Sequence, residues 1–196
     1  MTMPSILIVD DNSTLLELFE IVLKRSGYQT YTASGGRECL ALLKNMLPDL
    51  ILLDLMMEPM DGWETLAEIK KDVRTNNIPI IAVTGKQPTS NEIETYMDEI
   101  EGYVIKPLTV KGLSDLVLNF FKRRDAIENE LETARKSGFD QKLLEEYRNL
   151  YRSIPVGKII LKLIGRSVPF LETELKRREE RIEILQHQLG ITIFPQ

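Results

Sequence analysis

The sequence predicts an α/β fold, a doubly wound five-stranded parallel sheet, joined to an all-α C-terminal extension. Three observations carry this. Five short apolar runs alternate with amphipathic helical stretches over the first 121 residues. Three of those runs are continuously apolar, as strands covered by helices on both faces must be. The β-α rhythm then stops near Asp125, and only helical periodicity follows.

The first run is SILIVD (5–10), which ends in the paired carboxylates Asp10 and Asp11. Thr14–Leu15–Leu16–Glu17 reads as a capping box opening a helix with Leu15, Leu16, Phe19, Val22 and Leu23 on its apolar face. QTYTA (29–33) is the second run, followed by Cys39, Leu40 and Leu43 at helical spacing. LILLDL (50–55) is the third, ending at Asp54 and followed by a helix bearing Trp63, Leu66, Ile69 and Val73. IPIIAVTG (78–85) brings Thr84 to its end, and GYVIKP (102–107) brings Lys106. Repeats of this length imply right-handed crossovers and an open parallel sheet, in which functional groups gather at the carboxyl ends of the strands.

Composition sets outer bounds. The chain has 196 residues, 43% of them apolar and 28% charged, which suits a domain of about 120 residues with an appendage. No apolar stretch approaches the length of a membrane span, and the N-terminus lacks the basic region of a signal peptide. The single cysteine, Cys39, reads as a small core residue and fits a reducing cytoplasm. With His187 as the sole histidine, the sequence argues against a histidine-built metal site or a His-dependent triad. The net charge of −5 is uneven: residues 1–121 carry 10 Lys+Arg against 18 Asp+Glu, and residues 122–196 carry 15 against 12. The second part is too mixed in sign to indicate nucleic-acid binding.

Asp10, Asp11, Asp54, Thr84 and Lys106 therefore fall at one edge of the predicted sheet. Three converging carboxylates require a cation, and oxygen ligands without His or Cys favour Mg²⁺. A lysine and a hydroxyl converging on the same point suit a phosphoryl group, whose oxygens they would neutralise and hydrogen-bond. A carboxylate in the middle, Asp54, can itself be the nucleophile and become an aspartyl phosphate.

At these residues the chain resembles the receiver (CheY-like) domain of two-component response regulators. The likeness rests on Asp10–Asp11, on Asp54 in LILLDLMM, on Met60–Asp61–Gly62, on Thr84–Gly85 and on Lys106–Pro107, and it covers residues 4–123. The resemblance implies a flavodoxin-like receiver over residues 1–123 and leaves 124–196 as a helical extension. It implies Asp54 as phosphoacceptor, taking its phosphoryl group from a histidine kinase or phosphotransfer protein. Asp11, Asp54 and the backbone carbonyl of Met56 would ligate Mg²⁺, and Asp10 would act through a bound water. Lys106 would pair with phosphoryl oxygens, while Thr84 and Tyr103 would form the switch. Such a protein is no enzyme beyond its own phosphorylation and autodephosphorylation.

Two departures stand out. Proline follows Glu58 here, where the commoner pattern places it directly after Met57, so the loop's hydrogen bonding should differ while the pocket stays intact. Met56 and Lys86, two residues after Asp54 and Thr84, offer no carboxylate or amide to orient an attacking water. Slow autodephosphorylation is the expectation.

In the extension, Ile127, Leu131 and Ala134 continue a helix that Ser137–Gly138 ends, and Asp140 caps a second with Leu143, Leu144, Tyr147, Leu150 and Tyr151. Pro155 is expected to open a third, and Ser167–Val168–Pro169 to interrupt the chain before a fourth. Val168, Leu171, Leu175, Arg178, Ile182, Leu185 and Leu189 alternate spacings of 3 and 4, a heptad seam broken once by Arg178. Such a seam fits a helix pair within one chain or between two copies. KRREER (176–181) reads as a solvated face, and His187 lies off the seam. No helix-turn-helix appears, and no β-rich segment precedes ITIF (191–194). The expected output is protein contact or dimerisation, with a DNA-binding regulator as the alternative. A hydrolase of the aspartyl-phosphate type is disfavoured because Met56 stands where that class needs its second Asp.

Overall fold

The apolar runs become five parallel strands: β1 (Ser5–Val9), β2 (Gln29–Ala33), β3 (Leu50–Leu53), β4 (Ile80–Thr84) and β5 (Gly102–Ile105), in the order β2-β1-β3-β4-β5. This computed structural model describes residues 3–165 and 167–192. Residues 193–194 of the ITIF stretch lie outside them. The central strands β3 and β4 are buried throughout, whereas the edge strands β2 and β5 are buried only in part. That difference explains why the central runs read as unbroken hydrophobics and QTYTA does not.

Between the strands lie α1 (Ser13–Arg25), α2 (Gly36–Leu43), α3 (Gly62–Lys71) and α4 (Ser90–Tyr96), with a 3-10 turn at Met97–Glu99. The cap of α1 differs from the expected box. Asn12 is the N-cap, and its side chain accepts from the Leu15 amide at 3.2 Å. With Asn available one residue before the helix, Thr14 already lies inside the first turn, where it has no capping role. Reciprocal capping boxes do occur, at Asp61–Glu64 and Thr89–Glu92. Cys39 is fully buried in α2, and burial pushes its thiol up to about 12.

The remaining helices are α5 (Val110–Lys136), α6 (Gln141–Ile164) and α7 (Pro169–Leu189). Asp140 caps α6 by accepting from the Lys142 and Leu143 amides. Gly165 ends α6 in the left-handed region, and Pro169 opens α7, where its missing N–H costs nothing. Pro155 does not open a helix: it lies inside the 24 residues of α6. An internal proline costs about 3 kcal/mol, and here Tyr151, Ile154, Val156 and Ile160 bury on both sides of it and hold the helix together.

The chain divides into two compact units. One comprises the residues up to Gln87 with Glu99–Asp115 and carries the sheet. The other comprises Pro88–Asp98 and the residues from Leu116 onward. The core of this second unit joins Ile127, Leu131, Tyr147, Ile154, Ile182 and Leu185. The heptad seam of α7 is thus buried against helices of its own chain. Gly157 permits the close approach of α6 and α7, since a β-carbon there would lie 2.5 Å from Leu175 Cδ2. No helix among the described residues is long and apolar enough to cross a membrane.

Candidate functional site

Strand order reverses between β1 and β3, and the carboxylates sit at the carboxyl ends of those two neighbours. Asp10 follows β1 and is held there by its amide, which donates to the Ala33 carbonyl at 3.1 Å. Asp54 follows β3, with its amide donating to the Val9 carbonyl at 2.9 Å. Both side chains are nearly out of solvent, at 3% and 6% exposure, while Asp11 is exposed. The three carboxylates place one oxygen each within 4.8 Å of one another.

Burying two like charges together demands compensation. Lys106, just after β5, reaches past β4 and donates to Asp10 Oδ2 at 2.6 Å and to Asp54 Oδ2 at 2.5 Å. Each carboxylate is further held by a local amide, Asn12 on Asp10 Oδ1 and Met56 on Asp54 Oδ1, both at 2.9 Å. Burial by itself would lower the pKa of the Lys106 ammonium. The hydrogen bonds and charges of Asp10 and Asp54 outweigh it and hold that pKa above its ordinary value. The Lys106 amide donates to the Thr84 carbonyl at 2.8 Å, which fixes the end of β5 against β4. The Lys106–Pro107 and Glu58–Pro59 peptide bonds are cis.

Thr84 is fully buried, and its hydroxyl oxygen accepts from the Lys86 amide at 3.3 Å. Tyr103 is also buried, with its hydroxyl donating to the Lys86 carbonyl at 2.8 Å. Thr84 and Tyr103 therefore grip the same short turn, Thr84 through its amide end and Tyr103 through its carbonyl end. Met56 joins the cluster through its amide, while its side chain is exposed.

Sequence reasoning left Gly62 as a bare motif position, and the structure supplies its reason. A β-carbon at Gly62 would lie 2.2 Å from the Asp54 carbonyl oxygen and 2.5 Å from Leu55 Cα. Its amide donates to the Leu55 carbonyl at 3.2 Å. Glycine at this position lets α3 begin directly against the backbone that carries Asp54.

A family model described as response regulator receiver domain matches residues 6–118. The chain belongs to this family. Beyond its receiver region, residues 123–191 match a model described as Metanogen output domain 2. The receiver region is similar to the N-terminal domain of a response regulator receiver protein from Methanoculleus marisnigri, with 45% identity and a TM-score of 0.52. That match covers 59% of this chain and 94% of that one. A probable transcriptional regulator ycf27 from Guillardia theta is 29% identical over 97% of this chain and 75% of its own length. The DNA-binding dual master transcriptional regulator RpaA of Synechocystis is 33% identical over 64% of this chain, which spans about half, 52%, of that relative. The receiver fold of the family, a five-stranded parallel sheet with flanking helices, is the fold described above.

The donor set of the receiver's acidic cluster fits a divalent cation. It consists of carboxylate oxygens alone, with no nitrogen or sulfur ligand, and such sets suit hard ions.

Proposed function

We propose that the chain is a phosphorylation-controlled signalling protein that accepts a phosphoryl group on Asp54 from the phosphohistidine of a kinase or phosphotransfer partner. The observation that carries this is the Lys106 ammonium shared by Asp10 and Asp54 beside Asp11, because one cation set against three carboxylates leaves room for a second. Asp11, Asp54 and the Met56 carbonyl would hold Mg²⁺, which supplies charge neutralisation to the phosphoryl oxygens when bound. An Asp54 carboxylate oxygen attacks phosphorus, the phosphorus–nitrogen bond breaks, and the released imidazole nitrogen keeps the bonding electron pair and takes up a proton from solvent. Lys106 then transfers its hydrogen bond from Asp54 to a phosphoryl oxygen while keeping Asp10. Thr84 donates its hydroxyl to another, and Tyr103 responds through the shared Lys86 turn.

The chemistry ends with the protein's own phosphorylation and slow hydrolysis, with no separate substrate turned over. Met56 and Lys86 are exposed and present no general base, which supports a long-lived phosphoryl group. A half-life of only seconds would overturn that part. Intact mass after incubation with Mg²⁺ and a small acyl phosphate tests the whole reading. Wild type should gain about 80 Da and Asp54→Asn nothing; an adduct that persists in Asp54→Asn would refute the assignment.

We place the output in protein contact through the C-terminal helices, acting in the cytoplasm. The relatives named as transcriptional regulators support a second reading, in which this region contacts DNA. Against it, Arg148, Arg178 and Arg181 are engaged by Glu128, Asp98 and Glu146 of the same chain and so are poorly placed to reach phosphates. Retention on nonspecific DNA that falls steeply with salt would favour the second reading, since phosphate contacts release counterions.

A further inference from the structure

Arg178 interrupts an otherwise apolar seam, and a charged residue at such a position weakens a permanent helix contact. The structure shows what it does instead. Its side chain is only 14% exposed and forks onto both oxygens of Asp98, with Nη2 donating to Oδ2 at 2.9 Å and Nη1 to Oδ1. Its Nε donates to Glu174 Oε1 at 3.0 Å. Asp98 closes the segment Pro88–Asp98, which clusters with the C-terminal helices although it lies between β4 and β5 in sequence.

This pair is built to open. Asp98 is 61% exposed and returns to water when released, and Arg178 retains Glu174, its neighbour one turn back on α7. No charge is left orphaned, so separation avoids the penalty that makes buried pairs rigid.

The same segment is flanked by the Lys86 turn on one side and by Tyr103, one of the residues that grip that turn, on the other. Lys86 precedes Pro88 by two residues, and Tyr103 follows Asp98 by five. A Thr84 side chain that swings towards a phosphoryl oxygen carries with it the acceptor of the Lys86 amide, and the Lys86 carbonyl is the one Tyr103 holds. The backbone joins that turn to Pro88–Asp98 at one end and Tyr103 to it at the other, so a shift there has a covalent route into the segment.

We propose that the Asp98–Arg178 pair is a latch that holds α7 to the Pro88–Asp98 segment and that phosphorylation of Asp54 opens it. The latch rests on the phosphoacceptor reading above and adds to it the residues through which that event reaches the C-terminal helices. Its output is the freeing of the N-terminal half of α7, whose seam residues Leu171 and Leu175 are buried in the latched state.

The test uses the full chain with Mg²⁺ and a small acyl phosphate, with intact mass and amide hydrogen exchange measured on the same sample. In wild type, the adduct should accompany exchange that is roughly five- to tenfold faster over both 90–98 and 169–178, a typical size for coupling between sites. Asp98→Asn, a change at an exposed position, should show the faster exchange over 169–178 before any donor is added, and the donor should change it little. Arg178→Gln should behave the same way. An adduct without faster exchange overturns the latch alone, as does an Asp98→Asn protein whose 169–178 exchange matches wild type. Absence of any adduct overturns the phosphoacceptor reading together with the latch that rests on it.

Discussion

At the carboxyl edge of the sheet three carboxylates gather, and the two that are almost wholly buried share one ammonium. In the helical unit, charge is handled differently. Arg148 meets Glu128, Arg181 meets Glu146 and Lys158 meets Glu179, each cation beside a partly exposed carboxylate. Exposed pairs like these contribute little stability and need no further partner. The contrast separates a site from a scaffold. An imbalance of charge that persists under burial marks a place where something charged is to arrive, whereas pairs matched one to one at the surface only finish a fold. Arg178 falls between the two cases, mostly buried yet doubly paired.

The largest expected effect comes from the backbone that carries the site. Gly62→Ala drives a β-carbon into the Asp54 carbonyl, and backbone cannot step aside as a side chain can. A loss upward of about 3 kcal/mol in chemical denaturation is expected, together with loss of the phosphoryl adduct. Gly157→Ala is its counterpart in the helical unit. There the obstruction is the movable Leu175 side chain, so a cost of only about 1 kcal/mol is expected, with phosphorylation intact. Equal costs at the two glycines would erase the distinction between them.

Charge removal is the next effect in size. Lys106→Met strands Asp10 and Asp54 without their cation and should cost about 3 kcal/mol, part of it restored by millimolar Mg²⁺ in the same denaturation assay. Removing Arg148, by contrast, should change stability by less than about 0.5 kcal/mol, because its partner Glu128 stays hydrated.

After the losses at Gly62 and Lys106 comes a pH slope confined to the helical unit. Burial raises the Tyr147 hydroxyl to about 12, only partly opposed by the Gln186 amide that donates to it. The unfolded chain, with its tyrosine near the ordinary value of 10.0, therefore loses that proton first as pH rises. The Tyr147 contribution is intact below pH 10 and should decline by roughly 2–3 kcal/mol as the pH climbs through the folded value. Tyr147→Phe should flatten that decline in alkaline denaturation curves.

Much of the sheet and its site was legible in the sequence. A strand buried on both faces must be continuously apolar, and a polar residue closing such a run is conspicuous. Asp10, Asp54, Thr84 and Lys106 therefore stood out at the strand ends, and the structure brings the two aspartates and the lysine together. What could not be read depended on distant partners. KRREER looked like a solvated face, yet Arg178 and Arg181 reach Asp98 and Glu146, 80 and 35 residues away in sequence. Pro155 looked like a helix start because proline's local cost is visible in sequence, while the burial that overrides it is tertiary. The Thr14–Glu17 box failed for a subtler reason: Asn12, one position before the helix, supplied a better cap.

Three carboxylates share the pocket, and Asp10 receives the same Lys106 hydrogen bond as Asp54. Peptide mapping of the phosphorylated 196-residue chain tests the central claim most directly. The added mass of about 80 Da should lie on the peptide that contains Asp54, with the peptide containing Asp10 and Asp11 unmodified. A phosphoryl group on Asp10 or Asp11, or none on any of the three, would contradict the assignment of Asp54 as the acceptor.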